Sequence, residues 1–117
     1  TKVEADLISW RGTDQGNSLK ATGAWNSSGS NTNGDLRFSV WGNDKVGFSA
    51  KGGGCRLFDG RWTDMDPSLV GYWWTATENA DSVKQAWYRN LDYQKPNVFR
   101  YYCSKSYGFN VRCVKDK

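Results

Sequence analysis

The sequence contains no histidine, so it lacks the residue that most often serves as a general base and as a metal ligand. A Ser-His or Cys-His nucleophile pair therefore cannot be assembled within the chain. A CxxC pair, a P-loop and a GxGxxG motif are also missing, which removes the common zinc and nucleotide signatures. We expect a protein that is not an enzyme and that needs no cofactor or metal.

Cysteine, proline and long apolar runs are scarce. Three cysteines, Cys55, Cys103 and Cys113, leave at least one thiol unpaired, and a bridge from Cys113 to either of the others stays open. The alternating pattern around Cys113 predicts that it is a small buried residue of a strand. No apolar run approaches the roughly 18 residues of a membrane span, so we expect none. Because the chain begins at Thr1 rather than Met, we expect a processed, trimmed or recombinant start, with any leader outside this sequence.

What the chain has in quantity is aromatic residues and glycine, with 7 Trp, 6 Tyr, 5 Phe and 13 Gly in 117 residues. This length suits a single domain, 1–117. Apolar spacing predicts an amphipathic helix over residues 3–10, and a Ser-, Asn- and Gly-rich stretch predicts a loop over residues 25–34. The first half therefore combines one or two helices with long loops.

Alternating and aromatic segments predict short strands at residues 38–41, 72–75, 86–93, 97–102 and 109–114. The fold class expected from these elements is α+β, with a small antiparallel sheet in the second half. Trp73, Trp74 and Trp87 are interpreted as core residues of that sheet. Asp59-Gly60 predicts a turn before Arg61.

Tyrosine is concentrated near the carboxyl terminus, where it is mixed with Ser, Asn and Asp. Tyrosine gives a large contact area at low entropy cost, and small polar residues give adaptable hydrogen bonds, so this composition favours a binding surface. Residues 88–117 carry a net charge of +5, whereas residues 1–87 sum to -1, which gives the net charge of +4. No run of consecutive cations occurs, and we expect no nucleic-acid partner. The carboxylates Asp64 and Asp66, and Glu78 and Asp81, could bind calcium or cap turns.

Five segments carry a family resemblance: residues 71–78 (GYWWTATE), 86–93 (AWYRNLDY), 105–116 (KSYGFNVRCVKD), 19–25 (LKATGAW) and 47–56 (GFSAKGGGCR). In this combination the chain resembles the Fibrobacter succinogenes major paralogous domain. The GW(R/H)LP-type segment that opens the family before its first helix is missing, so the resemblance does not imply the family's N-terminal strand here. The calcium-dependent sugar motifs of animal C-type lectins are missing too, and their activity is not implied.

The resemblance implies a C-type-lectin-like fold in an exported bacterial protein of the Bacteroidetes kind, at the cell surface, lipid-anchored or on a phage virion. Similar domains act as variable proteins of diversity-generating retroelements, in which adenine-directed mutagenesis changes Asn codons. Residues whose codons can arise from Asn codons by such mutagenesis form the expected ligand-binding surface. They are Tyr88, Asn90, Asp92, Tyr93, Asn97, Phe99, Tyr101, Tyr102, Cys103, Ser104, Tyr107 and Asn110.

Three functions are compatible with these features. The first is a receptor or adhesin domain that binds a protein on another cell or surface. The second is a carbohydrate-binding module that stacks rings on sugars. The third is an oxidase related to the formylglycine-generating enzymes, which would need an accessible pair of cysteines. We expect the first, with the second as the alternative. The sequence leaves the oligomeric state open.

Overall fold

The computed structural model describes residues 6–25, 42–66 and 69–116. The elements, in chain order, are β1 (Ser9–Arg11), α1 (Gln15–Leu19), β2 (Cys55–Arg56), β3 (Trp62–Thr63), β4 (Val70–Asn79), β5 (Ser82–Asp92) and β6 (Val98–Ser104). A four-stranded antiparallel sheet has the order β1-β6-β5-β4, and β2 pairs with β3 in a second, two-stranded sheet. Strands β4, β5 and β6 thus form an antiparallel meander, and β1 pairs with the edge of β6 that faces away from β5.

The predicted strands at residues 72–75, 86–93 and 97–102 are confirmed, because each falls on or overlaps one of β4, β5 and β6. These segments are rich in aromatic residues, which fit the half-buried surface of a pleated sheet. The short connections between them place consecutive strands beside one another, as in an antiparallel meander. Local pattern is therefore sufficient to locate the three long strands.

The expected α+β fold, a C-type-lectin-like arrangement with one or two helices, is wrong. The described residues are nearly all β, and α1 is only five residues long. Of the predicted helix over residues 3–10, residues 9 and 10 lie in β1, and residues 3–5 lie outside the described part. The reason is a tertiary contact: Trp10 pairs with Phe99 on β6, with their ring centroids 5.3 Å apart. Cross-strand pairing here outweighs the helical spacing of the apolar residues.

The predicted strand at residues 109–114 is also wrong. Asn110 exchanges backbone hydrogen bonds with β4, donating to the Tyr72 carbonyl and accepting from the Trp74 amide, both at 3.0 Å. This is an isolated bridge, and the chain beyond it is unpaired and exposed. Cys113 is therefore an exposed free thiol rather than a buried strand residue, and Cys55 and Cys103 are free as well.

The core lies where the sheet meets the loops of the first half. Trp25, Ala50 and Leu91 are buried together, and Trp73 packs against them, as predicted for Trp73. The Trp25 indole donates to the Ala50 carbonyl at 2.9 Å. The predicted strand at residues 38–41 lies outside the described residues, as does the predicted loop beyond Trp25. This core is small, so much of the aromatic surface of the sheet is left for other contacts.

One buried residue in this region is charged. Lys20 is completely buried, and its Nζ donates to the carbonyls of Asp92 at 2.6 Å and Lys95 at 2.8 Å. The ammonium also lies 5.0 Å from the Trp25 ring centroid. Burial lowers the pKa of Lys20 to about 8, against a smaller opposing effect of the Asp92 carboxylate. The lysine thus joins the first half of the chain to the turn after β5.

The register assigns side chains to two opposite faces of the sheet, because residues directly opposite each other on paired strands share a face. We call one the tyrosine face; it carries Tyr72, Trp74, Tyr88, Phe99 and Tyr101. We call the other the arginine face; it carries Trp73, Trp87, Arg89, Arg100 and Tyr102. Within the described part of the chain, no helix is long and apolar enough to cross a membrane.

A tyrosine-lined pocket as the candidate functional site

Phe109 is the centre of a ring cluster on the tyrosine face. Its ring centroid lies 4.3 Å from that of Trp74, 4.9 Å from that of Tyr88 and 5.2 Å from that of Tyr72. The Tyr72 and Phe109 rings are nearly parallel, with an interplanar angle of 19°. The backbone bridge of Asn110 to β4 holds Phe109 against the sheet. Residues 107–110 thus cover one side of the tyrosine face.

A cavity of about 280 Å³ opens beside this cluster. Its lining contains no charged side chain. The lining residues are Cys55, Leu57, Thr63, Tyr72, Tyr88, Tyr101, Tyr102, Cys103, Tyr107 and Phe109. We call this cavity the tyrosine pocket, and its chemistry is that of aromatic rings, phenolic hydroxyls and thiols.

The second sheet, β2 with β3, forms the wall opposite the long strands. It is attached by a backbone bridge between Gly54 and Gly71 and by mutual hydrogen bonds between Arg56 and Gly108 of 2.8 and 2.9 Å. Gly54 has a φ of +68°, and a Cβ there would lie 2.0 Å from the Thr63 carbonyl oxygen. Glycine is therefore required where this wall meets the sheet.

The turn of this wall is the one predicted from Asp59-Gly60. Gly60 has a φ of +90°, and its amide donates to the Leu57 carbonyl at 2.9 Å. Asp59 accepts from the Arg61 amide at 3.1 Å and from the Arg61 side chain at 2.6 Å. The turn therefore has local hydrogen bonds of its own at the end of the wall.

The phenolic hydroxyls differ in their partners. The Tyr72 hydroxyl lies 3.3 Å from Asp64 Oδ2 and donates to it. The hydroxyls of Tyr88, Tyr101, Tyr102 and Tyr107 make no hydrogen bond to another described residue. These four groups are therefore available to a ligand, as donors and as acceptors.

The carboxylates considered for calcium have other contacts. Asp64 accepts the Tyr72 hydroxyl, and Glu78 forms an ion pair with Lys105. In residues 6–25, 42–66 and 69–116, no group of three or more Cys, Asp or Glu side chains is arranged to hold a metal. Asp64 thus contacts the hydroxyl of a lining residue but does not itself line the pocket.

Burial raises the pKa of four titratable groups of the pocket. Burial raises the pKa of Tyr88 to about 12 and that of the Cys103 thiol to about 11. The pKa values of Tyr72 and Cys55 are also raised, first by burial and then by the nearby Asp64 carboxylate. At neutral pH Tyr72, Tyr88, Cys55 and Cys103 are therefore neutral, and neither thiol is a thiolate nucleophile.

Five of the twelve predicted site residues line the pocket: Tyr88, Tyr101, Tyr102, Cys103 and Tyr107. A sixth, Phe99, lies under them, with its ring centroid 6.2 Å from that of Tyr88 and 6.1 Å from that of Tyr101. These six residues come from β5, β6 and the turn after β6. The structure therefore brings together half of the predicted surface around one cavity.

Tyr101 is the most accessible ring of this group, with 37% of its surface exposed. Its ring stacks on that of Tyr102, with centroids 4.8 Å apart and an interplanar angle of 6°. Strand β1 pairs with β6 only at Val98–Arg100. Among the described residues, no strand pairs with the outer edge of β6 beyond Arg100, which leaves room for the two rings at the mouth of the pocket.

The other predicted residues lie elsewhere. Asn90 is buried, with 7% of its surface exposed, and its side-chain amide donates to the Gly71 carbonyl at 3.0 Å. Its predicted outward orientation is wrong, and we assign it a structural role. Tyr93 packs against the core, and Asp92 Oδ1 accepts the Gln94 amide at 2.8 Å.

The last three predicted residues do not line the pocket either. Asn97 is half-buried after the turn that follows β5. Ser104 shares a hydrogen bond of 2.8 Å with the Ser106 hydroxyl, and Asn110 is exposed. The predicted set is therefore divided between the pocket, the core and the rim of the sheet.

Half of the pocket lining was missed from the sequence: Cys55, Leu57, Thr63, Tyr72 and Phe109. Most of these residues lie far from the carboxyl-terminal tyrosines in the chain. They reach the site only because distant parts of the chain pair with one another. The second sheet is bridged to β4 and to residues 107–110, and residues 107–110 are bridged to β4. For Tyr72 a signal was present, because it shares its strand parity with Trp74, and alternation places both on one face.

The chain matches no curated protein and no solved structure. A family model does match, however, and it spans nearly the whole chain. That model is the Fibrobacter succinogenes major domain, and it covers residues 1–115. The chain therefore belongs to the Fibrobacter succinogenes major domain family.

Proposed function

We propose that this protein is a non-catalytic ligand-binding domain, of the receptor or adhesin type, whose contact surface is the tyrosine pocket and its rim. The observation that carries the proposal is the pocket lining, which has five tyrosines and no charged residue. Four of those phenols have no hydrogen-bond partner among the described residues, although their rings are packed in place. Rigid aromatic surfaces with free hydroxyls are typical of binding hot spots.

A binding role is favoured over catalysis by the protonation of the site. A nucleophilic cysteine needs a lowered pKa, whereas burial raises the pKa values of both Cys55 and Cys103. The pair considered for oxidase chemistry of the formylglycine-generating type is Cys103 and Cys113; Cys113 is exposed, but burial holds the Cys103 thiol in its neutral form. Cys55 and Cys103 act instead as small apolar parts of the lining.

The size of the pocket limits the ligand. A volume of about 280 Å³ lies just below the roughly 300–1,000 Å³ of sites that bind drug-sized molecules. It fits one side chain of a protein ligand, anchored in the pocket while Tyr101 and the rim contact the surrounding surface. We propose a protein on another cell or surface as this ligand, and an extracellular or surface-displayed location for the domain.

We propose further that the rim varies in sequence in the manner of diversity-generating retroelement proteins. Support comes from exposure: Tyr101 and Asn110 are exposed, and Tyr102, Ser104 and Tyr107 are half-buried near the pocket mouth. Such positions tolerate substitution at little cost in stability. Asn90 is excluded because its buried amide bonds the backbone of β4. A near-identical template repeat beside a reverse transcriptase gene would support this proposal, and its absence from the encoding genome would contradict it.

The alternative is a carbohydrate-binding module, and one observation favours it. The rings of Tyr101 and Tyr102 are parallel at the mouth of an uncharged pocket, a surface on which a neutral sugar ring could stack. Only Tyr101 is exposed, so this surface offers one free ring rather than a broad platform. We therefore place the protein ligand first.

Replacement of Tyr101 by alanine tests the proposal. We expect binding of the labelled domain to intact cells or to a glycan array to fall at least tenfold. The free energy of unfolding should fall by no more than about 1.5 kcal/mol, because only ring contacts are lost. Val83→Ala is the matched control, since Val83 is an exposed apolar residue of β5 outside the pocket.

The outcomes separate the two candidates. Binding to cells that carry surface proteins but not to glycans supports the first function, and saturable binding to a neutral glycan supports the second. Equal binding by Tyr101→Ala and Val83→Ala would contradict both, because the pocket would then play no part in recognition.

A further inference from the structure

Two arginines face each other across the middle of the sheet. Arg89 on β5 lies directly opposite Arg100 on β6, so both side chains project from the arginine face. Like charges at directly opposed positions destabilise a sheet. No such cost arises if a negative group lies between the two side chains.

Both guanidinium groups are held in place rather than extended into solvent. The Arg100 Cζ lies 3.8 Å from the ring centroid of Trp87, and its Nη1 donates to the Asp6 carbonyl oxygen. Arg89 Nη1 donates to the Tyr88 carbonyl oxygen at 3.2 Å. Both side chains are half-buried. Both positive charges are therefore held by local contacts and partly removed from water.

The hydrogen-bonding capacity of this cluster is not filled. Arg100 Nε is buried and has no hydrogen-bond partner. The same is true of Arg11 Nε, on the same face of neighbouring β1. A buried unsatisfied donor costs about 1–3 kcal/mol, and more when the group is charged.

Among the described residues, no carboxylate forms an ion pair with Arg89 or Arg100. The ion pairs of that part of the chain join Arg61 to Asp59 and Lys105 to Glu78. Burial lowers the pKa of Arg89 and the positive charge of Arg100 lowers it further, whereas the Asp6 carboxylate has a smaller opposing effect. Packing on Trp87 explains the position of Arg100, but it does not account for a second arginine directly opposite it.

We propose that Arg89 and Arg100 form a binding site for an oxyanion, a carboxylate, sulfate or phosphate group carried by a ligand. Two guanidinium groups offer parallel N–H donors whose geometry matches such groups. A bound oxyanion neutralises the opposed charges. The site lies on the arginine face, opposite the tyrosine pocket, and does not depend on the function proposed for that pocket.

The wild-type domain tests this directly by nuclear magnetic resonance of the arginine Nε–H groups. Sodium sulfate, phosphate or acetate is titrated at constant ionic strength, balanced with chloride. We expect saturable shifts of the Arg89 and Arg100 Nε signals for at least one anion. A stronger response to sulfate and phosphate indicates a tetrahedral group, and a stronger response to acetate indicates a carboxylate. Absence of any saturable shift overturns the proposal.

Arg89→Met removes one charge and keeps the length of the side chain, and Arg61→Met is the matched control with the same change in net charge. We expect Arg89→Met to weaken anion binding at least tenfold, and Arg61→Met to leave it unchanged. In chloride alone, Arg89→Met should be at least as stable as the wild type, because the opposed charge is gone. An equal loss of binding in both variants would show that only net charge matters, and would overturn the site.

Arg100→Lys provides a second variant that keeps the positive charge. It loses the planar donor pair, so we expect weaker anion binding while the domain stays folded. Anion binding at the wild-type level in Arg100→Lys would contradict the proposed geometry.

Discussion

The Cys103 thiol gives a direct measure of how dry and uncharged the tyrosine pocket is. Burial, followed by the effect of the nearby Cys55 thiolate, raises the pKa of Cys103 from 9.0 to about 11. Since the thiolate is the reactive form, its population at any pH below 9 falls by a factor of about 100. At pH 8 only about 0.1% of the Cys103 side chains would be thiolate. We therefore expect Cys103 to be nearly inert to iodoacetamide at neutral pH.

The assay is alkylation followed by peptide mapping, with the rate at each cysteine measured from pH 7 to pH 10. The Cys103 rate should rise about tenfold per pH unit without levelling off in this range. Cys113 is exposed, so its alkylation in the same sample is an internal control that the reagent is active. In urea, which removes the burial, the Cys103 rate should level off near the ordinary thiol pKa.

The shape of the profile separates two causes of slow alkylation. Poor access alone would lower the Cys103 rate by the same factor at every pH and leave its inflection at the ordinary value. Burial of the charged form moves the inflection upward instead. A folded-state inflection below pH 9 would refute the argument that the pocket is uncharged, and it would make thiol chemistry at the site credible again.

Two other residues allow tests of the scaffold. Gly54→Ala should lower the free energy of unfolding by at least about 2 kcal/mol, because of its positive φ and the Thr63 carbonyl oxygen that blocks a Cβ. Gly53→Ala is the control, because a Cβ at Gly53 has no other atom within 4 Å, and we expect its free energy of unfolding to be close to that of the wild type. Both variants are measured by urea denaturation. For Lys20, the unfolded chain binds a proton between pH 8 and 10.5 that the folded chain lacks. Wild-type stability relative to Lys20→Met should therefore rise by about 1.4 kcal/mol per pH unit over that range. A difference that stays constant with pH would show that the buried amine keeps its ordinary pKa.

The sequence was sufficient for the elements that local pattern determines. Aromatic and β-branched residues are concentrated in β4, β5 and β6, and such residues favour strands. The Asp59-Gly60 turn was found because turn chemistry is also local. In each case the relevant contacts lie within a few residues of one another in the chain.

The errors came from pairing between distant segments. Ile8 and Trp10 fit a helix as well as a strand, and the choice is made by Phe99, some ninety residues away. Phe109, Val111 and Cys113 do alternate, but after Asn110 no neighbouring strand accepts the chain. The apolar pattern of a segment thus indicates which secondary structures it can form. Which of them it adopts depends on whether a neighbouring strand pairs with it.

The same division applies to the site. The tyrosines at positions 101, 102 and 107 were found because they cluster in sequence. Tyr72 and Cys55 were missed because nothing local connects them to that cluster. A pocket between two sheets necessarily contains residues from both, so composition near one terminus can indicate only one of its walls.

Arg100 and Tyr101 are adjacent in β6, yet they belong to opposite faces with different chemistry. The alternation of a strand makes this possible, and it also restricts how the surface can change. An insertion or deletion of one residue within β6 would move Arg100 to the tyrosine face and Tyr101 to the arginine face. It would place a charge against the neutral pocket and a phenol where the guanidinium contacts Trp87. If the rim of the pocket varies, it must therefore do so by substitution at fixed length, which is the kind of change that codon mutagenesis produces.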